Sequence, residues 1–210
     1  MVGEQFERFK ELAWQRILRD REIGYLDPDI FDVLEAINRR RKSFTMSSCS
    51  GRVTIVDAEF PWDRKGSTVV FKNHLIVTED DLRDNVSRPP RKKYWLIVQG
   101  PIFHVYAKDL EEAMTLLSIA RGVGFKHSGI MVANEKGYLV ELRTGVRMDH
   151  LLTPEQDLAR LAEEAMRVLL KGKERKERLK EAVLRSLESD NPVELRENPV
   201  GQALGDDGLH

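Results

Sequence analysis

The sequence predicts an α+β fold, a mixed or antiparallel sheet flanked by helices. Two observations predict it. The hydrophobic periods run helix, helix, several strands, helix, hairpin, helix, without the regular βαβ alternation of a parallel sheet. No strand leads through a G-x-G-x-x-G turn into a helix, so a dinucleotide-binding Rossmann unit is not indicated. The chain has 210 residues and 41% hydrophobic content, enough for one core, which excludes a fully disordered protein.

Residues 4–22 read as the first helix, with Phe6, Phe9, Ala13 and Ile17 at helical spacing. Asp27-Pro28 reads as the N-cap and first position of a second, whose stripe is Ile30, Val33, Leu34 and Ile37. The basic run Arg39, Arg40, Arg41 and Lys42 ends it and suits the negative end of its dipole. Period two then takes over. One strand is expected over 45–57, a second over 67–77, and two more over 92–99 and 101–106, bent at Gly100-Pro101. Thr78-Glu79-Asp80-Asp81 resembles a short helix start, and Asp109 to Glu112 reads as a capping box before a longer helix. Gly122 or Gly124 stops that helix, and residues 129–133 and 137–142 form a hairpin. Thr153-Pro154-Glu155-Gln156 is expected to cap a last long helix, with Gly172 as a possible break. The reading gives a single α+β catalytic domain over 1–188 and a disordered tail over 189–210.

Charged residues make up 33%, yet 34 basic against 35 acidic residues leave a net charge of -1. Any attraction to nucleic acid must therefore come from a local basic face. The single cysteine, Cys49, excludes an intramolecular disulfide and a cysteine zinc cluster, and no metal is expected. Neither a signal-peptide core nor an apolar run of membrane-spanning length is visible, so the expected compartment is the cytoplasm.

Three features carry possible chemistry. Between Thr45 and Arg52, the small polar residues Ser47, Ser48 and Ser50 crowd a strand entry with Gly51 beside Arg52. Short donors, a permissive glycine and a guanidinium suit a ligand with carboxylate or phosphate groups. The plainer reading is a polar loop with Cys49 buried as a small hydrophobe. The second feature, Gly124-Phe125-Lys126-His127-Ser128-Gly129, could be a backbone-lined ligand loop or simply a helix stop and turn. Finally, His74 and His104 stand in strand signals as candidate bases, although strand histidines more often hold structural hydrogen bonds. Three basic stretches, Arg39 to Lys42, Arg88 to Lys93 and Lys171 to Lys180, form a phosphate track if the fold gathers them on one face.

These motifs together resemble the tRNA wybutosine-synthesizing protein three family. The segment S-S-C-S-G-R at 47–52 is similar to its signature. The likeness continues through Phe71-x-x-His74, Pro101-Ile102-Phe103-His104-Val105, the helix from Asp109 to Ala120, and Gly124-Phe125-Lys126-x-Ser128-Gly129-Ile130. It covers roughly residues 30–142. The resemblance implies methyl transfer from S-adenosyl-L-methionine to the N4 ring nitrogen of 7-aminocarboxypropyl-demethylwyosine, the tricyclic base 3′ of the anticodon in phenylalanine tRNA. It implies cofactor contacts from Ser47, Ser48, Ser50, Gly51, Arg52, Gly124, Phe125, Ser128 and Gly129, with His74 and His104 as base or binding residues. The expected tRNA contacts are Arg39, Arg40, Arg41, Lys92, Lys93, Lys126, Lys171, Lys173, Arg175 and Lys176. Two other classes compete: a non-catalytic RNA-binding module, and a hydrolase or acyltransferase pairing Cys49 with His104. Oligomeric state has no signature here.

Overall fold

The computed structural model describes residues 2–190; the expected tail from residue 191 onward lies outside the described residues. In chain order the elements are α1 (Val2–Glu22), α2 (Phe31–Arg39), β1 (Ser43–Cys49), β2 (Arg52–Asp57), β3 (Thr68–Asn73), α3 (Glu79–Val86), β4 (Tyr94–Gln99) and β5 (Ile102–Ala107). They continue with α4 (Leu110–Gly122), β6 (Gly129–Asn134), β7 (Gly137–Arg143), β8 (Arg147–Leu152) and α5 (Leu158–Asp190). The strands form not one sheet but two four-stranded sheets, ordered β1-β5-β7-β6 and β3-β2-β4-β8, with every pair antiparallel.

The expected single strand over 45–57 is a sheet crossing. It breaks at Ser50-Gly51, leaving β1 in the first sheet and β2 in the second. Gly51 takes φ +93, and a Cβ there would sit 3.0 Å from the Gln99 carbonyl oxygen. Only glycine combines that left-handed backbone with so close an approach. The same crossing recurs from β4 to β5 at Gly100-Pro101, so two corners lie side by side.

Helix α5 ties the sheets together. Its first half buries Leu158, Leu161, Ala162, Ala165 and Leu169 against Val53, Ile55, Leu96 and Val98 of the second sheet. Its second half buries Leu179 and Val183 with Phe103, Val105, Val140 and Leu142 of the first, together with α2 and α4. Each buried leucine or valine among them contributes about 1.5–3 kcal/mol by burial. Gly172 sits between the halves and breaks nothing. The helix is continuous, and a Cβ at 172 would lie 3.2 Å from the Gly100 Cα, so the absent side chain lets α5 cross the second corner.

Several boundaries differ from the sequence reading. Helix α2 starts at Phe31 with Ile30 as its N-cap, because the Asp27 carboxylate is used elsewhere. Strand β8 has no clean alternation in its Arg147-Met148-Asp149-His150 sequence, and pairing with β4 creates it. Thr153 opens no helix; the Asp157 carboxylate accepts from the Arg160 N–H instead, and α5 begins at Leu158. Half of the box at Asp109 forms, with the Asp109 carboxylate taking the Glu112 N–H. The Glu112 carboxylate turns away to Arg40, in a buried fork of 2.6 and 2.9 Å, and accepts from Ser43 Oγ. Arg40, expected on an RNA-binding surface, is thus only 5% exposed and holds α2, β1, α4 and α5 together through Glu112, Ser43 and Ser186.

Candidate active site

A cavity of about 660 Å³ opens between α1, the turn from α1 to α2, and the β1–β2 corner with the end of β3. Helix α1 reaches this place because Phe6 packs at a tilt on Phe44, which stacks on Tyr106, anchoring it across the outer face of the first sheet. Its next turns then present Phe9, Leu12, Ala13, Arg16, Ile17 and Asp20 to the cavity. The facing wall is Thr45, Met46, Ser47, Ser48, Cys49 and Arg52, with Lys72 and His74 from the β3 end. A cavity of this size, lined by apolar side chains together with several charged ones, has the character of a small-molecule site.

The polar wall is built around Asp27. Its carboxylate accepts from the Ser50 N–H at 2.8 Å and lies 3.2 Å from His74 Nδ1. His74 Nδ1 also donates to the Gly51 carbonyl at 3.1 Å, so one imidazole clamps both sides of the corner. Burial alone would raise the Asp27 carboxyl, but the hydrogen bonds from His74 and Ser50 hold it down at about 2. The Asp27 partner and the Cys49 sulfur beside it push His74 up to about 9. Asp27 and His74 are therefore an ion pair at neutral pH. The ligand atoms of Asp27, Cys49 and His74 lie within 4.8 Å of one another, but the Nδ1 that faces this cluster carries a proton rather than a lone pair.

A second clamp lies behind the corner. Lys173 Nζ of α5 donates to Ser50 Oγ at 2.9 Å, to the Gly51 carbonyl at 3.3 Å and to Asp29. Lys176 binds the same aspartate at 2.9 Å. Burial pushes the Asp29 carboxyl up, and its bonds to Ser50, Lys173 and Lys176 outweigh that and hold it below the usual carboxylate range. In the cavity, Arg16 pairs with Asp20 at 3.5 Å, whereas Arg52, Lys72 and Lys136 have no ion pair among the described residues. The site is thus net positive, which suits a ligand carrying carboxylates.

The structure gathers Ser47, Ser48, Arg52 and His74 at the cavity wall and places Ser50 and Gly51 directly behind it. It does not bring the 124–129 segment there. Phe125 is fully buried against Phe103, Ser128 is buried with its hydroxyl donating to the Phe125 carbonyl, Gly124 lies against Arg175, and Gly129 begins β6. His104 does not line the cavity. Its Nδ1 meets the Ser47 carbonyl at 2.8 Å and its Nε2 the Glu141 carboxylate at 3.1 Å, so it sets the position of Ser47 from β5. The neighbour of Cys49 is His74 rather than His104.

Of the expected tRNA contacts, Arg39, Arg41, Lys92, Lys126 and Lys171 are exposed, with Arg39 paired to Glu35 and Lys171 to Glu174, and Lys93 pairs with Glu59. Lys173 and Lys176 are committed to Asp29, and Arg175 donates to the Val123 carbonyl. Sequence reasoning missed Asp27, Lys72 and the α1 wall. The spacing of Lys72 and His74 on one strand end was a usable signal; the long-range use of Asp27 left none.

An all-antiparallel α+β scaffold with a cation-rich cavity at a sheet crossing lies outside the Rossmann class. The Methyltransferase TYW3 family profile matches residues 7–185, and the chain belongs to this family of methyltransferases. A protein of Saccharolobus solfataricus named tRNA(Phe) 7-((3-amino-3-carboxypropyl)-4-demethylwyosine(37)-N(4))-methyltransferase is 51% identical over 202 residues, covering 92% of this chain and 95% of its own. A similarly named Archaeoglobus fulgidus protein is 33% identical over 91% of this chain and 97% of its own. A solved Pyrococcus horikoshii structure superposes with a TM-score of 0.79 at 31% identity, covering 87% of this chain and 98% of that one. An Aeropyrum pernix structure gives 0.69 at 32% identity, over 77% and 99%.

Proposed function

We propose that this methyltransferase uses S-adenosyl-L-methionine to methylate the N4 ring nitrogen of 7-aminocarboxypropyl-demethylwyosine in phenylalanine tRNA. The observation that carries the reading is the 51% identity, across nearly the whole length of both chains, to a relative bearing that activity in its name. The cavity supplies a fitting site. Arg52 and Lys72 can take carboxylates, which both the cofactor and the aminocarboxypropyl arm possess, and Leu12, Ala13 and Ile17 offer an apolar wall to flat rings. Among the expected cofactor contacts, this assigns Ser47, Ser48 and Arg52 to the binding wall and Ser50 and Gly51 to its support.

When bound, the cofactor supplies an activated methyl on a sulfonium. What remains for the protein is alignment, an orientation effect worth several kcal/mol. The corner is stiff because Asp27, His74 and Lys173 hold Ser50 and Gly51 from both sides. His74 is already charged at neutral pH, so its role here is a fixed cation rather than a general base. Asp27, held at about 2, is a poor proton acceptor as well. The pair therefore positions rather than abstracts, and the ring-nitrogen proton passes to solvent as the methyl is transferred.

The decisive experiment is transfer of labelled methyl from S-adenosyl-L-methionine into phenylalanine tRNA bearing the aminocarboxypropyl intermediate, with calorimetry for the cofactor alone. Transfer to that base and a heat of binding are expected. Absence of both at millimolar cofactor would overturn the reading in favour of a non-catalytic RNA-binding module.

A further inference from the structure

The loop from β2 to β3 displays an aromatic pair that the fold does not use. Phe60 and Trp62 stack almost in parallel, with centroids 5.1 Å apart and planes 4° from one another, yet they are 45% and 69% exposed. The loop beneath them is not slack. The Asp63 carboxylate accepts from the Phe60 N–H and the Asp63 N–H donates back to the Phe60 carbonyl, both at 3.1 Å, around Pro61. Ser67 closes the next turn on the Arg64 carbonyl. The rings are therefore held outward by a tight turn.

The surroundings are basic. Asp57 of β2 takes the backbone N–H groups of Arg91 and Lys92 at 2.7 and 2.9 Å, which fixes the Arg88 to Lys93 segment beside the loop. The Lys93 ammonium lies 5.7 Å from the Phe60 ring. Across 58–67 and 88–93, six bases stand against two acids, Glu59 and Asp63. The side chains of Arg64, Lys65, Arg88, Arg91 and Lys92 are exposed and make no ion pair among the described residues.

Paired flat rings inside uncompensated positive charge match one chemistry: unpaired nucleotides, whose bases stack on the rings while phosphates meet the cations. A purely apolar protein partner would leave those cations unmatched. We propose that Phe60 and Trp62 form a stacking platform for an unpaired nucleotide of the RNA substrate, distinct from the methyl-transfer cavity. Strand β2 separates the two, so the platform grips RNA about 20 Å from Arg52. The proposal rests on the reading of tRNA as substrate.

The test is binding of phenylalanine tRNA to wild type, Trp62→Ala, Trp62→Phe and the double variant Phe60→Ala/Trp62→Ala, with the same enzymes assayed for methyl transfer. Because the rings are exposed, all four should melt alike. We expect the double variant to bind tRNA about tenfold more weakly and to raise KM for tRNA with kcat unchanged, with Trp62→Phe largely restoring affinity. Calorimetric affinity for S-adenosyl-L-methionine should be the same in all four. Equal tRNA affinity and KM in wild type and double variant would overturn the platform while leaving the tRNA reading intact. A wild type that binds no tRNA would overturn both. A concentration-dependent dimer lost in the double variant, with tRNA affinity unchanged, would assign the rings to a second copy of the chain and overturn the proposal.

Discussion

Arg52 is the cavity residue most legible in advance: a guanidinium at the end of a run of small residues, which the structure sets in the cavity wall without an ion-pair partner among the described residues. Arg52→Ala should leave the melting temperature nearly unchanged and lower kcat/KM by at least tenfold, the loss of one charge-assisted contact of about 1.5–3 kcal/mol. Near-wild-type turnover at subsaturating cofactor would remove Arg52 from the site. Cys49→Ser should keep substantial activity, because direct transfer to nitrogen needs no thiol adduct; full loss of turnover with normal cofactor binding would point to covalent catalysis instead. The Asp27–His74 pair was not legible, since an aspartate before a proline reads as a helix cap until the chain is folded. It carries a pH signature. His74 is raised from 6.5 to about 9, so its contribution to stability is complete below about pH 6.5 and lost as pH rises through 9. Asp27 is lowered from 3.8 to about 2, so its contribution is present above about pH 4 and lost as pH falls through 2. His74→Gln should therefore destabilise by on the order of 1–2 kcal/mol near pH 6, a figure discounted for partial exposure, and by less at about pH 10. Thermal melts across that range check the sign: a gap that widens toward high pH would exclude the pair.

At the scale of elements, the sheet crossing and helix α5 do the organising. The 45–57 stretch has the alternation of a single strand, and Ser50-Gly51 was visible as a permissive point. Which sheet each half joins depended on partners far along the chain, β5 for one and β3 with β4 for the other. Helix α5 looked breakable at Gly172 because glycine has low helix propensity, about 1 kcal/mol below alanine. Packing against Gly100 overrides that preference. Gly172→Leu should therefore destabilise, not stabilise as propensity alone predicts, and should separate α5 from the second corner. Denaturant midpoints of Gly172→Leu and of Leu170→Ala, an exposed control on the same helix, distinguish the two accounts. Helix α1 was foreseen as a helix but not as a cavity wall, because its stripe of Phe6, Phe9, Ala13 and Ile17 looks like any core-facing stripe.

For the whole molecule, α5 enters both cores, so the two sheets should unfold together. One coincident transition by circular dichroism and tryptophan fluorescence is expected, and two separated transitions would show that the halves are independent. The basic stretches also sort only at this scale. Lys171→Ala should weaken tRNA binding and flatten its salt slope by about one charge with stability unchanged, whereas Lys176→Ala should lower stability first, because Lys176 is buried on Asp29. Filter binding at several salt concentrations with parallel melts separates these outcomes. The sequence by itself determined the α+β class and most of the elements, and it singled out residues 47–52 as a candidate site, because periodicity and turn chemistry are local. Only the tertiary structure decided that there are two sheets, that α1 closes the cavity, that Asp27 and His74 meet, and that Arg40, Lys173 and Lys176 are structural cations. Each of those outcomes is a pairing between residues distant in the chain. A charge written in the sequence is the same whether it meets a phosphate or a buried carboxylate, and only folding chooses its partner.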